Sequence, residues 1–160
     1  MELSKWFDHQ LRSTLDGFTW AVQQLPVERL YATPPAPLGE WSAAQHVFHL
    51  LEYEENLALP SMHQWLGAPL VIRYESLDDA ASPSIEELLS RFKSVRQEEI
   101  ELLPKFSQAA WELKQKTTFW GDVSLRWLVS KTYQHTLEHT HDILRLSLFW
   151  DRIIVRMAYG

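Results

Sequence analysis

The chain has 160 residues, of which 46% are hydrophobic and 22% charged, a formal net charge of -6 and no cysteine. That size and apolar content correspond to one domain, residues 1–160, with a substantial core. The acidic balance and the lack of a basic stripe exclude nucleic acid as main partner, since phosphate recognition needs clustered Lys and Arg, and a chain without cysteine has no disulfides, no thiolate zinc site and no thiol nucleophile of its own.

Along residues 4–25, Phe7, Leu11, Thr14, Leu15, Phe18, Val22 and Leu25 recur in steps of three or four, so the spacing predicts a helix with one apolar face, closed at Pro26. The N-terminal segment has no uninterrupted apolar core of the signal-peptide kind, and no segment approaches the roughly 18 apolar residues of a membrane span. A cytoplasmic protein without a membrane partner is expected. Pro34, Pro35 and Pro37 make residues 26–40 a connection. Ser42 is an N-cap for a second helix that runs to about residue 66, with Pro60 kinking or dividing it. Residues 67–83 read as a loop with a short extended piece at Val71 to Tyr74.

Ser84, three residues before Glu87, forms a capping box for a third helix, about Ser84 to Leu103, with Ile85, Leu88, Leu89, Phe92, Val95, Ile100 and Leu103 on its apolar stripe. Pro104 ends it. The stretch ELKQKTTFW, before Gly121, alternates loosely in the manner of a strand. Ser124 caps a fourth long helix carrying Leu125, Leu128, Val129, Thr132, Leu137, Ile143 and Leu146. The apolar end, residues 147–160, either continues that helix or packs across the bundle end. Four long helices with short to medium connections predict an all-α, up-down four-helix bundle. Trp65, Trp111, Trp127 and Trp150 serve its core or a dimer face, and a homodimer is expected.

Seven histidines carry the chemical signal, three of them in QHTLEHTHD, residues 134–142. His135 and His139 lie four apart, one turn above each other on one helical face, where two imidazoles can reach one ion about 2.0–2.1 Å from each nitrogen. His141 points elsewhere. The same spacing arises on polar helix faces without chemistry, and a metal site needs a third ligand from another element. His46 and His49, among apolar residues in AAQHVFHLL, are the suppliers, and spacing leaves open which one faces the pair. His9 and His63 read as surface or helix-end residues.

A di-iron carboxylate bundle needs Glu-x-x-His on two helices. Glu138 to His141 is one such motif and no second follows, so a mononuclear three-histidine site fits the inventory better. Asp142 shares the His135/His139 face. It either takes the outer N–H of a ligand histidine, binds substrate, or is a solvated acid. Glu54 is five residues past His49, a poor facial match; Glu52 and Tyr53 are closer in rotation.

With these residues placed, the chain resembles the DinB-like (DinB/YfiT) superfamily of metal-binding four-helix bundles, over about residues 4–146. The family's second helix opens on a Trp-Ser pair with a His eight residues after the Trp; Trp41-Ser42 and His49 match, and Glu54 falls where the family often carries an acid. Its last helix holds His-x-x-x-His, then a polar residue and Ile; His135, His139, Asp142 and Ile143 stand in that register. Trp120-Gly121 matches its Trp-Gly pair. The departure is Asp142 where the family usually has Gln. The resemblance selects His49 over His46 and implies a divalent metal held by His49, His135 and His139, zinc or nickel first, iron or manganese next. It also implies a metal-dependent enzyme, an S-transferase or hydrolase using a low-molecular-weight thiol on a small-molecule substrate, with Asp142 orienting a ligand. The alternative is a non-catalytic bundle that binds a small ligand or partner.

Overall fold

The computed structural model describes residues 2–69 and 83–159. Helix α1 (Leu3–Gln23) buries Phe7, Leu11, Thr14, Phe18 and Val22 on one face, as the periodicity dictates. Two short 3-10 turns, Val27–Arg29 and Ala36–Leu38, interrupt the proline-rich connection that follows. Helix α2 (Ala43–Tyr53) opens on a reciprocal box in which the Gln45 N–H donates to Ser42 Oγ and the Ser42 N–H to Gln45 Oε1.

The helical path does not stop at Tyr53. It widens into a π turn, Glu54–Ala58, and continues as α3 (Leu59–Trp65). Pro60 has no N–H for a carbonyl one turn back, and its ring crowds that carbonyl. A widened turn just before it relieves both problems, so the expected kink is a π turn and not a break.

Helix α4 (Ile85–Leu102) starts at the second capping box, Ser84 with Glu87. Tyr31 Oη accepts the Ile85 N–H at 2.8 Å and ties the first connection to this helix start. Strands β1 (Lys114–Thr117) and β2 (Gly121–Ser124) then form an antiparallel hairpin, with Lys114 opposite Ser124 and Thr117 opposite Gly121. The strand-like reading of ELKQKTTFW covers β1. Gly121 enters β2 at φ 65°, in the left-handed region that favours glycine. The extended piece expected at Val71 to Tyr74 lies outside the described residues.

Helix α5 (Leu125–Tyr159) has 35 residues and so runs about 50 Å. The Trp127 N–H donates to Ser124 Oγ, the expected cap. Residues 147–159 continue this helix and do not fold across the end. Leu137, placed on the apolar stripe from its spacing, is exposed. Among the described residues no helix is long and apolar enough to cross a membrane.

Among the described residues the chain is mostly helical, an all-α architecture with one small hairpin. Helix α1 packs on α4 and α5, and α2 packs on the same two. The interior divides into two apolar clusters. One contains Phe18, Val22, Val47, Leu50, Phe92, Ile143 and Trp150; the other contains Phe7, Leu11, Trp65, Leu103, Trp111 and Leu128. Trp127 is 40% exposed, whereas Trp65, Trp111 and Trp150 are buried in these clusters. Between the clusters every long helical segment contributes buried polar residues: Thr14 from α1, Glu54 after α2, Arg96 and Glu99 from α4, and Thr132, His135, Thr136 and His139 from α5.

Candidate metal centre

This polar layer holds the histidines. The capped start of α2 aims His46 and His49 toward α5, where His135 and His139 face back from successive turns. The ring centroids of His49, His135 and His139 form a triangle with sides of 5.1, 5.0 and 4.7 Å. Each ring offers a nitrogen within 4.8 Å of the other two. His139 Nε2 and His135 Nε2 are 3.1 Å apart. His135 and His139 are buried and His49 is half-buried, so the cluster is closed on the α5 side and open beside His49.

Burial sets the protonation of these rings. Loss of solvent, joined by repulsion from neighbouring histidines, pulls His135 down from 6.5 to about 3 and His139 to about 4. Loss of solvent also lowers His46 and His49. At neutral pH the cluster therefore presents uncharged imidazoles with free lone pairs, the form that binds metal.

A second set, His46, His139 and Asp142, also brings three donor atoms within 4.8 Å of one another. The two sets share His139, and geometry ranks them. Two nitrogens 2.0–2.1 Å from one tetrahedral ion stand about 3.3 Å apart. The 3.1 Å between His135 and His139 is close to that, whereas His46 Nδ1 and His139 Nδ1 are 2.7 Å apart, a hydrogen-bond length. Asp142 is half-exposed, with an oxygen 3.8 Å from Arg145 and 3.7 Å from His141. The first set fits a divalent ion better.

His141 is 73% exposed and Glu138 is exposed, so the single Glu-x-x-His motif faces outward. His9 is exposed and His63 sits in the last turn of α3.

Sequence reasoning missed a fully buried charge cluster in the same layer. Arg96 donates from Nε to Glu54 Oε2 at 3.1 Å and from Nη2 to Glu54 Oε1 and to Thr136 Oγ1; Nη1 donates to Leu11 O and Thr14 Oγ1. Glu99 Oε2 lies 3.2 Å from Arg96 Nε, but that hydrogen goes to Glu54. Neither Glu99 oxygen accepts a hydrogen bond among the described residues. Burial, with Glu54 beside it, pushes Glu99 well above the usual carboxyl range. Two acids on one guanidinium make a net negative cluster unless one stays protonated.

Aromatic rings frame the histidines. Trp41 covers them, with its ring 5.4 Å from His46, 4.9 Å from His49 and 6.0 Å from His139. Tyr53 meets His135 edge-on at 4.5 Å, and Trp120 at the hairpin tip packs on Tyr53 at 6.0 Å. A cleft of about 220 Å3 lined by His49, Glu52, Tyr53, Asn56 and Leu57 reaches the open side of the cluster. A larger cleft, about 450 Å3, lies between the start of α1 and the end of α4, and its lining contains no histidine. Residues 10–143 match the family described as the DinB superfamily. No curated protein matches the chain.

Proposed function

The chain belongs to the DinB superfamily, and on that premise we propose that it is a metal-dependent enzyme, an S-transferase or hydrolase acting with a low-molecular-weight thiol. The observation that carries this reading is the convergence of three uncharged imidazoles from α2 and α5 at the end of a cleft. His49, His135 and His139 hold a divalent ion. Zinc or nickel suits such a donor set best, and iron or manganese comes next. A divalent ion so placed supplies Lewis acidity that lowers the pKa of a thiol or a water.

The chain's own residues do the rest. Trp41 covers the rings of His46, His49 and His139, and the half-buried His49 leaves the cleft side accessible. Glu52, Tyr53 and Asn56 line the approach of a small substrate. A protein with no cysteine must take its thiol from the substrate. Asp142 supplies negative charge beside His46 and His139 and acts as a positioning acid. The long helical segments are read as a single up-down four-helix domain with the site at mid-height.

The test is turnover of a panel of thiols and electrophiles by zinc- or nickel-loaded protein, with the His135→Ala variant and chelator-treated protein as controls. Ion-dependent turnover lost in both controls is the result expected. An ion that binds without any turnover marks a non-catalytic module.

A further inference from the structure

We propose that His46 is a positioning residue that accepts the outer N–H of His139 and so fixes the tautomer in which His139 offers Nε2 to the ion. This rests on the metal reading above. The two Nδ1 atoms are 2.7 Å apart and both residues are 8% exposed. A neutral imidazole carries one N–H, on one nitrogen or the other. When the Nε2 lone pair of His139 faces His135 and the ion, its hydrogen sits on Nδ1, and His46 Nδ1 is the acceptor within reach. His46 then carries its own hydrogen on Nε2.

Three features make this contact a built one. His46 and His49 sit three residues apart on the capped first turns of one helix, so α2 sets the third imidazole of the cluster and the outer partner of His139 together. Trp41 roofs both rings of the pair, which removes competing water and strengthens the bond in a low local dielectric. The Nδ1 to Nδ1 separation is a hydrogen-bond length and shorter than the roughly 3.3 Å between two donors on one tetrahedral ion, which favours His46 as the partner of a ligand over His46 as a ligand. An outer partner of this kind holds the ring orientation of a ligating histidine and raises its basicity.

The experiment compares the full chain with three variants. Asn at position 46 places an oxygen where His has Nδ1, Gln moves its acceptor one bond further out, and Leu has none. The readouts are zinc affinity by competition with a chromophoric chelator, bound zinc per chain, and the ring N–H signal of His139 in 15N-labelled, zinc-loaded protein. His46→Leu and His46→Gln are expected to weaken zinc binding about 10- to 100-fold and to lose or shift the slowly exchanging His139 Nδ1–H signal. His46→Asn is expected to keep both close to wild type. Equal affinities and an unchanged signal in all three variants would overturn the inference, as would Gln behaving like Asn. A second zinc ion in the wild type that disappears with His46→Leu would also overturn it, because His46 would then be a ligand. Should His46→Leu fail to fold, the Asn and Gln pair decides alone. Wild-type protein that takes up no zinc overturns the metal reading and this inference together, whereas zinc binding that is indifferent to position 46 overturns only this one.

Discussion

Arg96 on α4 and Glu54 after α2, 42 residues apart, meet as a two-bond ion pair with no solvent exposure on either side chain. The same guanidinium reaches Leu11 and Thr14 on α1 and Thr136 on α5, so one side chain ties four helical segments at mid-height. Arg96→Met leaves Glu54 and Glu99 buried without a countercharge. It is expected to cost ~3–5 kcal/mol in urea unfolding. A cost under about 1 kcal/mol would mean that the cluster adds little to stability.

Glu99 gives the layer a pH dependence of known sign. Its folded pKa lies well above the ordinary 4.5, through burial and Glu54. Its contribution is fully present below about 4.5 and is lost as pH rises toward the folded pKa. Glu99→Gln removes that loss, so the variant should gain stability over wild type progressively as pH rises above about 4.5 in urea unfolding. A stability difference that does not change with pH would contradict the assignment.

The histidines act in the opposite direction. His135 and His139 stay uncharged in the folded chain down to about 3 and 4, whereas the unfolded chain takes up protons at 6.5. The unfolded state therefore binds more protons between these limits, and metal-free protein loses stability as pH falls from 6.5 toward 4. His135→Gln removes one such group. The stability of wild type minus that of the variant, both treated with chelator, should fall between pH 7 and pH 4. A constant difference would mean that folding leaves the His135 pKa where it stands in the unfolded chain.

Ser42 caps the helix that presents His46 and His49. Ser42→Ala loses the bond from the Gln45 N–H and should cost about 1 kcal/mol in thermal or urea unfolding. Zinc affinity should drop more than in Ser84→Ala, which removes the equivalent cap from α4 at some distance from the histidines. Equal effects of the two variants on zinc would show that the start of α2 does not position the site.

Much of this was legible before any coordinates. The apolar steps from Phe7 to Val22 and the serines at 42, 84 and 124 marked helix faces and starts, because burial periodicity and capping are local in sequence. The pair His135 and His139 was legible for the same reason. Spacing alone leaves the choice between His46 and His49 open, since both lie on the inner side of α2; the family resemblance selects His49, and the packing against α5 shows which ring nitrogen meets which. Glu54 is read from its rotation relative to His49 and from the family's acid position, and neither shows that it is buried. It continues the stripe Ala43, Val47, Leu50, and that stripe carries it into the interior. Arg96 and Glu99 likewise continue the stripe through Phe92 to Leu103, but a charged residue there reads as an interruption until its partner on another helix is known. The π turn has a visible cause in Pro60, though its form does not follow from one proline.

On the proposed reading three imidazoles from α2 and α5 hold one ion, and metal content is the quantity that decides it. Full-chain protein purified without an affinity tag or chelating resin, then dialysed against zinc and washed, is assayed by elemental analysis beside His135→Ala. About one ion per wild-type chain and none in the variant is the outcome predicted. A wild-type chain that retains no ion, or a His135→Ala chain that retains as much as wild type, would contradict it.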